Sequence, residues 1–200
     1  MTYKRPADRF TKQAKAEGFA ARSVYKLEEI DRRVRLFKPG MKVLDLGAAP
    51  GSWSQYAAPK VGSKGHVVAV DLVPLRAPMP PHVVSMQLDL LGDRSDLAMY
   101  GPFDVVMSDM APHTSGVAFA DAARSEELAS IAVDVANEWL KPGGTLVTKV
   151  FLGDGFEPLR ASMRAIFKEV RVIKPEASRR ESVEIFLVGL LRKNQAKPAM

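Results

Sequence analysis

The chain of 200 residues contains no cysteine and only three histidines, His66, His82 and His113. Without thiols it can form no disulfide, no zinc–thiolate centre and no thiol nucleophile, and three scattered imidazoles argue against a histidine-built metal site. Long apolar runs are missing too: nothing approaches the roughly 18 to 20 residues needed to cross a bilayer. The polar start MTYKRPADRF lacks the apolar core of a signal peptide. These absences predict a cytoplasmic protein with no membrane segment and no metal. Its chemistry must then rest on carboxylates, lysines, hydroxyls or a bound organic cofactor. What is present, 46% hydrophobic residues in a chain of ordinary domain size, suffices for a substantial core.

Charge is unevenly spread. The net charge is +6, and residues 1–42 hold 12 of the 29 Lys/Arg against 5 of the 23 Asp/Glu, so the basic excess sits at the N-terminal end. A second run comprises Lys168, Arg171, Lys174, Arg179 and Arg180, and Arg192, Lys193 and Lys197 close the chain. Such clusters suit either a solvated surface or a polyanion such as RNA, whose phosphates supply most sequence-independent affinity.

The segment ARSVYKLEEIDRRVRLF carries Val24, Leu27, Ile30, Val34 and Phe37 at helical spacing, which predicts an amphipathic helix ending before Pro39-Gly40. Beyond it, short apolar strands (KVLDLG, HVVAVDL, VVSMQLDL, FDVVMSDM, GTLVTKVF) alternate with helical stretches, and two further strands, EVRVIK and SVEIFLVGLL, come late. This order predicts an α/β fold with a mainly parallel sheet covered by helices on both faces, and with at least one late strand antiparallel at an edge. We divide the chain into a basic N-terminal helical extension (1–38), the α/β domain (39–191) and a basic tail (192–200).

In open parallel sheets ligands bind beyond the carboxyl ends of the strands. Asp45 and Gly47, Asp71, Asp89, Asp109 and Lys149 stand at or near five such ends. The first strand runs into VLDLGAAPGSW, whose Gly47 and Gly51 allow close main-chain approach. The loop matches neither the dinucleotide nor the P-loop pattern and has no phosphate-binding lysine. Asp71 is placed for ribose hydroxyls and Asp89 for an adenine amino group. A nucleoside without phosphates fits, which points to S-adenosylmethionine.

Lys149 is the oddity, an ammonium within the apolar VTKVF, where desolvating a charge is costly. Taken singly, Lys26 reads as a solvated helix lysine, Glu184 as an edge charge, and Asp109 as a turn former. Together, RSVYKLEEI, DLGAAPGSWSQ, VDLVP, SDMAP, KVFLGDGF and SVEIFLV occur in an order and spacing that closely resemble the FtsJ/RrmJ family of RNA 2′-O-ribose methyltransferases. The resemblance covers nearly the whole chain and implies a Rossmann-like methyltransferase fold with seven strands. It implies Lys26, Asp109, Lys149 and Glu184 as catalytic residues, and Gly51, Trp53, Asp71, Asp89 and Asp109 as S-adenosylmethionine contacts. It also implies an RNA partner: a uridine in the A loop of large-subunit rRNA within the 50S particle, methylated by a monomer. Alternatives are a tRNA substrate, a nicotinamide-dependent oxidoreductase and a non-catalytic RNA-binding module. One departure is Ser52, where the family often has glycine.

Overall fold

The computed structural model describes residues 9–178 and 182–194. Arg179, Arg180 and Lys197 of the expected basic clusters lie outside the described residues. Two helices, α1 (Arg9–Ala16) and α2 (Val24–Val34), precede β1 (Lys42–Leu46), α3 (Ser52–Val61), β2 (His66–Asp71) and β3 (Val83–Gln87). A short 3₁₀ turn, Ser95–Met99, leads into β4 (Phe103–Ser108), α4 (Ala118–Trp139), β5 (Leu140–Phe151), α5 (Phe156–Ile166), β6 (Phe167–Ile173) and β7 (Glu184–Arg192).

The seven strands form one sheet in the order β3-β2-β1-β4-β5-β7-β6, with β7 antiparallel to both neighbours. Side chains of β1 and β2 are buried as near-continuous apolar runs, Val43, Leu44 and Leu46 beside Val67, Val68 and Val70, as expected for parallel strands covered on both faces. On one face lie α2 and α3. Leu27 and Ile30 of α2 share a core cluster with Val43, Val147 and Phe186. On the other, Ala129, Ala132, Val133 and Ala136 set the inward stripe of α4.

The antiparallel strand expected at an edge is instead interior. Phe186, Leu187 and Val188 of β7 are fully buried, a run that an edge would expose. The edge falls to β6, where Lys168, Glu169 and Arg171 are exposed, the charged pattern that discourages edge-to-edge pairing. The amphipathic helix expected before Pro39 is α2, and a second short helix, α1, precedes it. α1 has little apolar surface and is held by buried Ala14 and by the Phe10–Tyr25 ring contact.

Helix α2 stops at Arg35, whose φ of 52° is left-handed and whose N–H bonds the Asp31 carbonyl. The Asp31 carboxylate then accepts the N–H groups of Leu36 and Phe37. A side chain thus supplies the acceptors that the turn leaves missing.

Candidate active site

The carboxyl ends of β1 to β5 and the start of β7 meet at one rim of the sheet. There Lys149, 5% exposed on β5, donates from Nζ to Asp109 Oδ1 at 2.9 Å and to the Asp109 backbone carbonyl. The cost of burying the ammonium is offset by a charged and a neutral acceptor. Beside it, Lys26 Nζ lies 2.6 Å from Glu184 Oε1, with both side chains largely enclosed. Burial acts to raise the Glu184 carboxyl, but the Lys26 charge, aided by Lys149, outweighs it and holds the group below its ordinary value. Four side chains distant in sequence, from α2, the end of β4, β5 and β7, therefore form two facing lysine–carboxylate pairs.

The pair from α2 and β7 is braced from behind. Glu29, on the turn after Lys26, accepts the Glu176 backbone N–H at 2.7 Å, and Arg22 donates to the Ala177 carbonyl. The loop that delivers Glu184 is thus clasped to the helix that delivers Lys26.

A cavity of about 460 Å³ opens next to Asp109, with Gly47, Asp71, Leu72, Asp89 and Leu91 among its walls. Asp71 is oriented by the N–H groups of Ala49 and Val73, at 2.8 and 3.1 Å, and Asp89 by that of Leu91 at 2.9 Å. Each carboxylate keeps free acceptor sites. At Gly47, φ is +69° and a Cβ would meet Met110 Cγ at 2.4 Å, so this position requires glycine. Three aspartates and no lysine or arginine line the cavity. Leu72 and Leu91, 68% and 78% exposed, are apolar parts of its wall.

Two expected residues stand apart from that cavity. Trp53 lines a smaller recess that also reaches Asp109; its ring packs on Phe186 and its indole N–H is committed to the Ser23 carbonyl. Gly51 lines neither space and caps the start of α3 at φ 117°. Ser52, the departure from glycine, shares a 3.0 Å hydrogen bond with the Ser23 hydroxyl.

Asp45 corrects the expectation of five charged strand ends. It sits inside β1, only 1% exposed, and accepts Ser54 Oγ at 2.7 Å. Burial pushes its carboxyl up to about 7. Pattern reading could not separate a residue within the strand from one just beyond it.

The basic clusters are also redistributed. Because α2 runs from the rim toward the start of β1, Arg32 and Arg35 lie at the far end of the helix. The register of β7 likewise puts Arg192 at the opposite rim, buried and donating to the Asn137 carbonyl. Lys193 caps the end of α5 through the Arg164 and Ala165 carbonyls. Lys168 opens β6 at that same far end, leaving Lys174 beyond β6 on the near side. Near the site the exposed cations include Lys12 and Lys15 of α1, which packs against the start of α2 and Ala177.

Residues 19–192 match the FtsJ-like methyltransferase family. The chain belongs to that family. Among its relatives, the ribosomal RNA large subunit methyltransferase E of Sorangium cellulosum is 56% identical over 98% of this chain and 92% of its own length. The protein of the same name from Bdellovibrio bacteriovorus is 50% identical over 96% of this chain and 100% of its own. A ribosomal RNA methyltransferase of Plasmodium falciparum shares the fold at a TM-score of 0.77 with 24% identity, over 88% of this chain and 100% of its own. Aeropyrum pernix fibrillarin, solved with bound S-adenosyl-L-methionine, superposes at 0.65 with 15% identity, over 84% and 76%. An FtsJ-like chain with a lysine–carboxylate rim beside an acidic cavity is a methyltransferase by family and by layout.

Proposed function

We propose that the protein transfers a methyl group from S-adenosylmethionine to a ribose 2′-hydroxyl of large-subunit rRNA, a uridine of the A loop within the 50S particle. The observation that carries this is the pairing of Lys149 with Asp109 and Lys26 with Glu184 beside a cavity whose charged side chains are all acidic. A cavity with Asp71 and Asp89 unmatched by any cation, and with Asp109 balanced by Lys149, suits a positively charged nucleoside and repels a pyrophosphate. That argues against the nicotinamide dinucleotide reading. Asp71 has acceptor sites left for ribose hydroxyls, Asp89 for the adenine amine, and Leu72 and Leu91 for the base between them. When bound, S-adenosylmethionine supplies a methyl group already activated as an electrophile.

The protein's task is then alignment and management of one proton. Lys149 spends two of its three donor directions on Asp109, and the remaining one serves the 2′-oxygen. The Lys26–Glu184 pair fixes the other side of the ribose and keeps the site close to neutral, so that a phosphate-bearing strand can enter. Lys12, Lys15 and Lys174 grip flanking phosphates, which position RNA without reading its sequence.

Mapping of 2′-O-methyl groups in RNA from cells lacking the protein tests the proposal. One rRNA site should vanish, return with the wild-type chain, and stay absent with Lys149→Ala. Loss of a tRNA site instead, or of none, overturns it.

A further inference from the structure

A second cavity, of about 330 Å³, opens on the α4 and α5 side of the rim, beyond the end of β5. Its walls include Phe119 and Glu126 of α4, Phe151, Leu152 and the exposed Asp154 at and beyond the end of β5, and Gly155 and Phe156 entering α5. The reaction described above does not use it. Its size falls at the lower end of the range of about 300 to 1,000 Å³ typical of small-ligand sites.

Three observations define an occupant. First, Phe119 is 73% and Leu152 47% exposed, and with Phe156 they offer apolar faces, those of the two phenylalanines flat. Second, Glu126 makes no hydrogen bond or ion pair among the described residues. Its carboxylate lies directly over Gly155, where a Cβ would fall 1.4 Å from Oε2; only glycine leaves room for that carboxylate here. A partly enclosed, unpartnered carboxylate calls for a ligand with hydrogen-bond donors. Third, the cavity continues the proposed catalytic strand. Val147 packs with the α2 and α3 cluster and Val150 with that of α4 and α5, so by alternation the Lys149 side chain faces the α2 side. Two residues on, Phe151 donates its N–H to Ser125 of α4. Two residues of strand span about 6.6 Å, and the cavity lies across the sheet from the Lys149 side chain, so an RNA strand reaches both by passing over the end of β5.

We infer that this cavity receives an unstacked guanine next to the methylated nucleotide. The inference rests on the RNA substrate proposed above. Unpaired RNA bases are recognised by stacking on aromatic side chains and by hydrogen bonds to their Watson–Crick edges. Guanine alone among the four presents two adjacent donors there, N1–H and the N2 amine, matching the two oxygens of Glu126. Uracil flanks its single N3–H with carbonyl oxygens that a carboxylate repels, and adenine and cytosine each set one amino group beside an acceptor nitrogen. The cavity would thus add sequence preference to a surface whose other RNA contacts are to phosphates.

Kethoxal, which modifies the N1/N2 edge of accessible guanines, tests this on large ribosomal subunits from cells lacking the protein. The wild-type chain should shield one guanine within two nucleotides of the ribose it methylates. Phe119→Ala, at an exposed position that the fold does not need, and Glu126→Ala should each lose that shielding. Each should also raise the KM for subunits about tenfold, the order expected for one stacked or paired base, with affinity for S-adenosylmethionine unchanged. Shielding that persists in both variants, or no shielded guanine with the wild type bound, overturns the subsite. Shielding without methyl transfer would overturn the proposed reaction and leave the subsite standing.

Discussion

The two halves of the rim use the same residue type in opposite ways. Beside β2 and β3, Asp71 and Asp89 are held by backbone N–H groups alone, so their charge faces an open cavity. Across β4, β5 and β7, Asp109 and Glu184 are each matched by a lysine. A carboxylate fixed by main-chain donors keeps its full charge for a cationic ligand, whereas one spent on an ammonium contributes geometry with little net field. One half is therefore suited to bind a positive nucleoside and the other to align a neutral hydroxyl on an anionic strand.

The sharpest way to break the contrast is to remove the lysine. Lys149→Ala should lower the single-turnover methylation rate by about 10²- to 10⁴-fold, with binding of cofactor and RNA retained. Lys149→Arg distinguishes roles through its pH–rate profile. A variant that keeps near-wild-type chemistry means a charged donor orienting the oxygen, and a dead one means proton transfer through the amine.

Asp45, buried in the recess shared by both halves, tests the floor beneath them. Its folded carboxyl titrates near 7, well above an ordinary aspartate, so the native state holds a proton that the unfolded chain has released. The penalty is absent below about pH 4, grows through the interval up to about 7 and is constant beyond it. Asp45→Asn, which still accepts from Ser54, should gain stability over wild type as pH rises through that window, up to about 4 kcal/mol. Urea unfolding at pH 5 and pH 8 measures the gain, and an equal difference at both pH values would contradict it.

Asp71→Asn should weaken S-adenosylmethionine binding about tenfold or more, as loss of a charged acceptor predicts, and leave RNA affinity unchanged in titrations of each ligand. The smallest effect is expected from charge reversal. Lys12→Glu with Lys15→Glu should weaken RNA binding a few-fold and flatten its salt dependence, one step for each phosphate no longer neutralised. Arg32→Glu with Arg35→Glu, at the far end of α2, should leave that slope unchanged.

The alternation of strands and helices is legible in the sequence because buried parallel strands are continuous apolar runs and α2 has a clean helical period. The place of β7 is not, since strand order is a long-range property that no local pattern records. Periodicity identifies the inward face of α2 but not which end meets the rim, so composition alone does not separate Arg32 and Arg35, at the far end of α2, from Lys26 at the rim. Arg192 reads as part of a tail because a cation ending a strand has the same letter whether solvated or bonded to a carbonyl. The acids at strand ends are legible from spacing. The meeting of Lys26 with Glu184 follows only from family resemblance, because no spacing rule joins residues so far apart.

The clasp between α2 and the loop ahead of β7 grips main-chain atoms, an N–H at Glu176 and a carbonyl at Ala177. Every residue has that carbonyl, and every residue but proline has that N–H. Drift at position 176 should therefore be tolerated, while Glu29 and Arg22, which supply the side chains, are not interchangeable. In a library selected for function, variation should be lopsided across this contact: broad on the loop at 176 apart from proline, and narrow on the helix side.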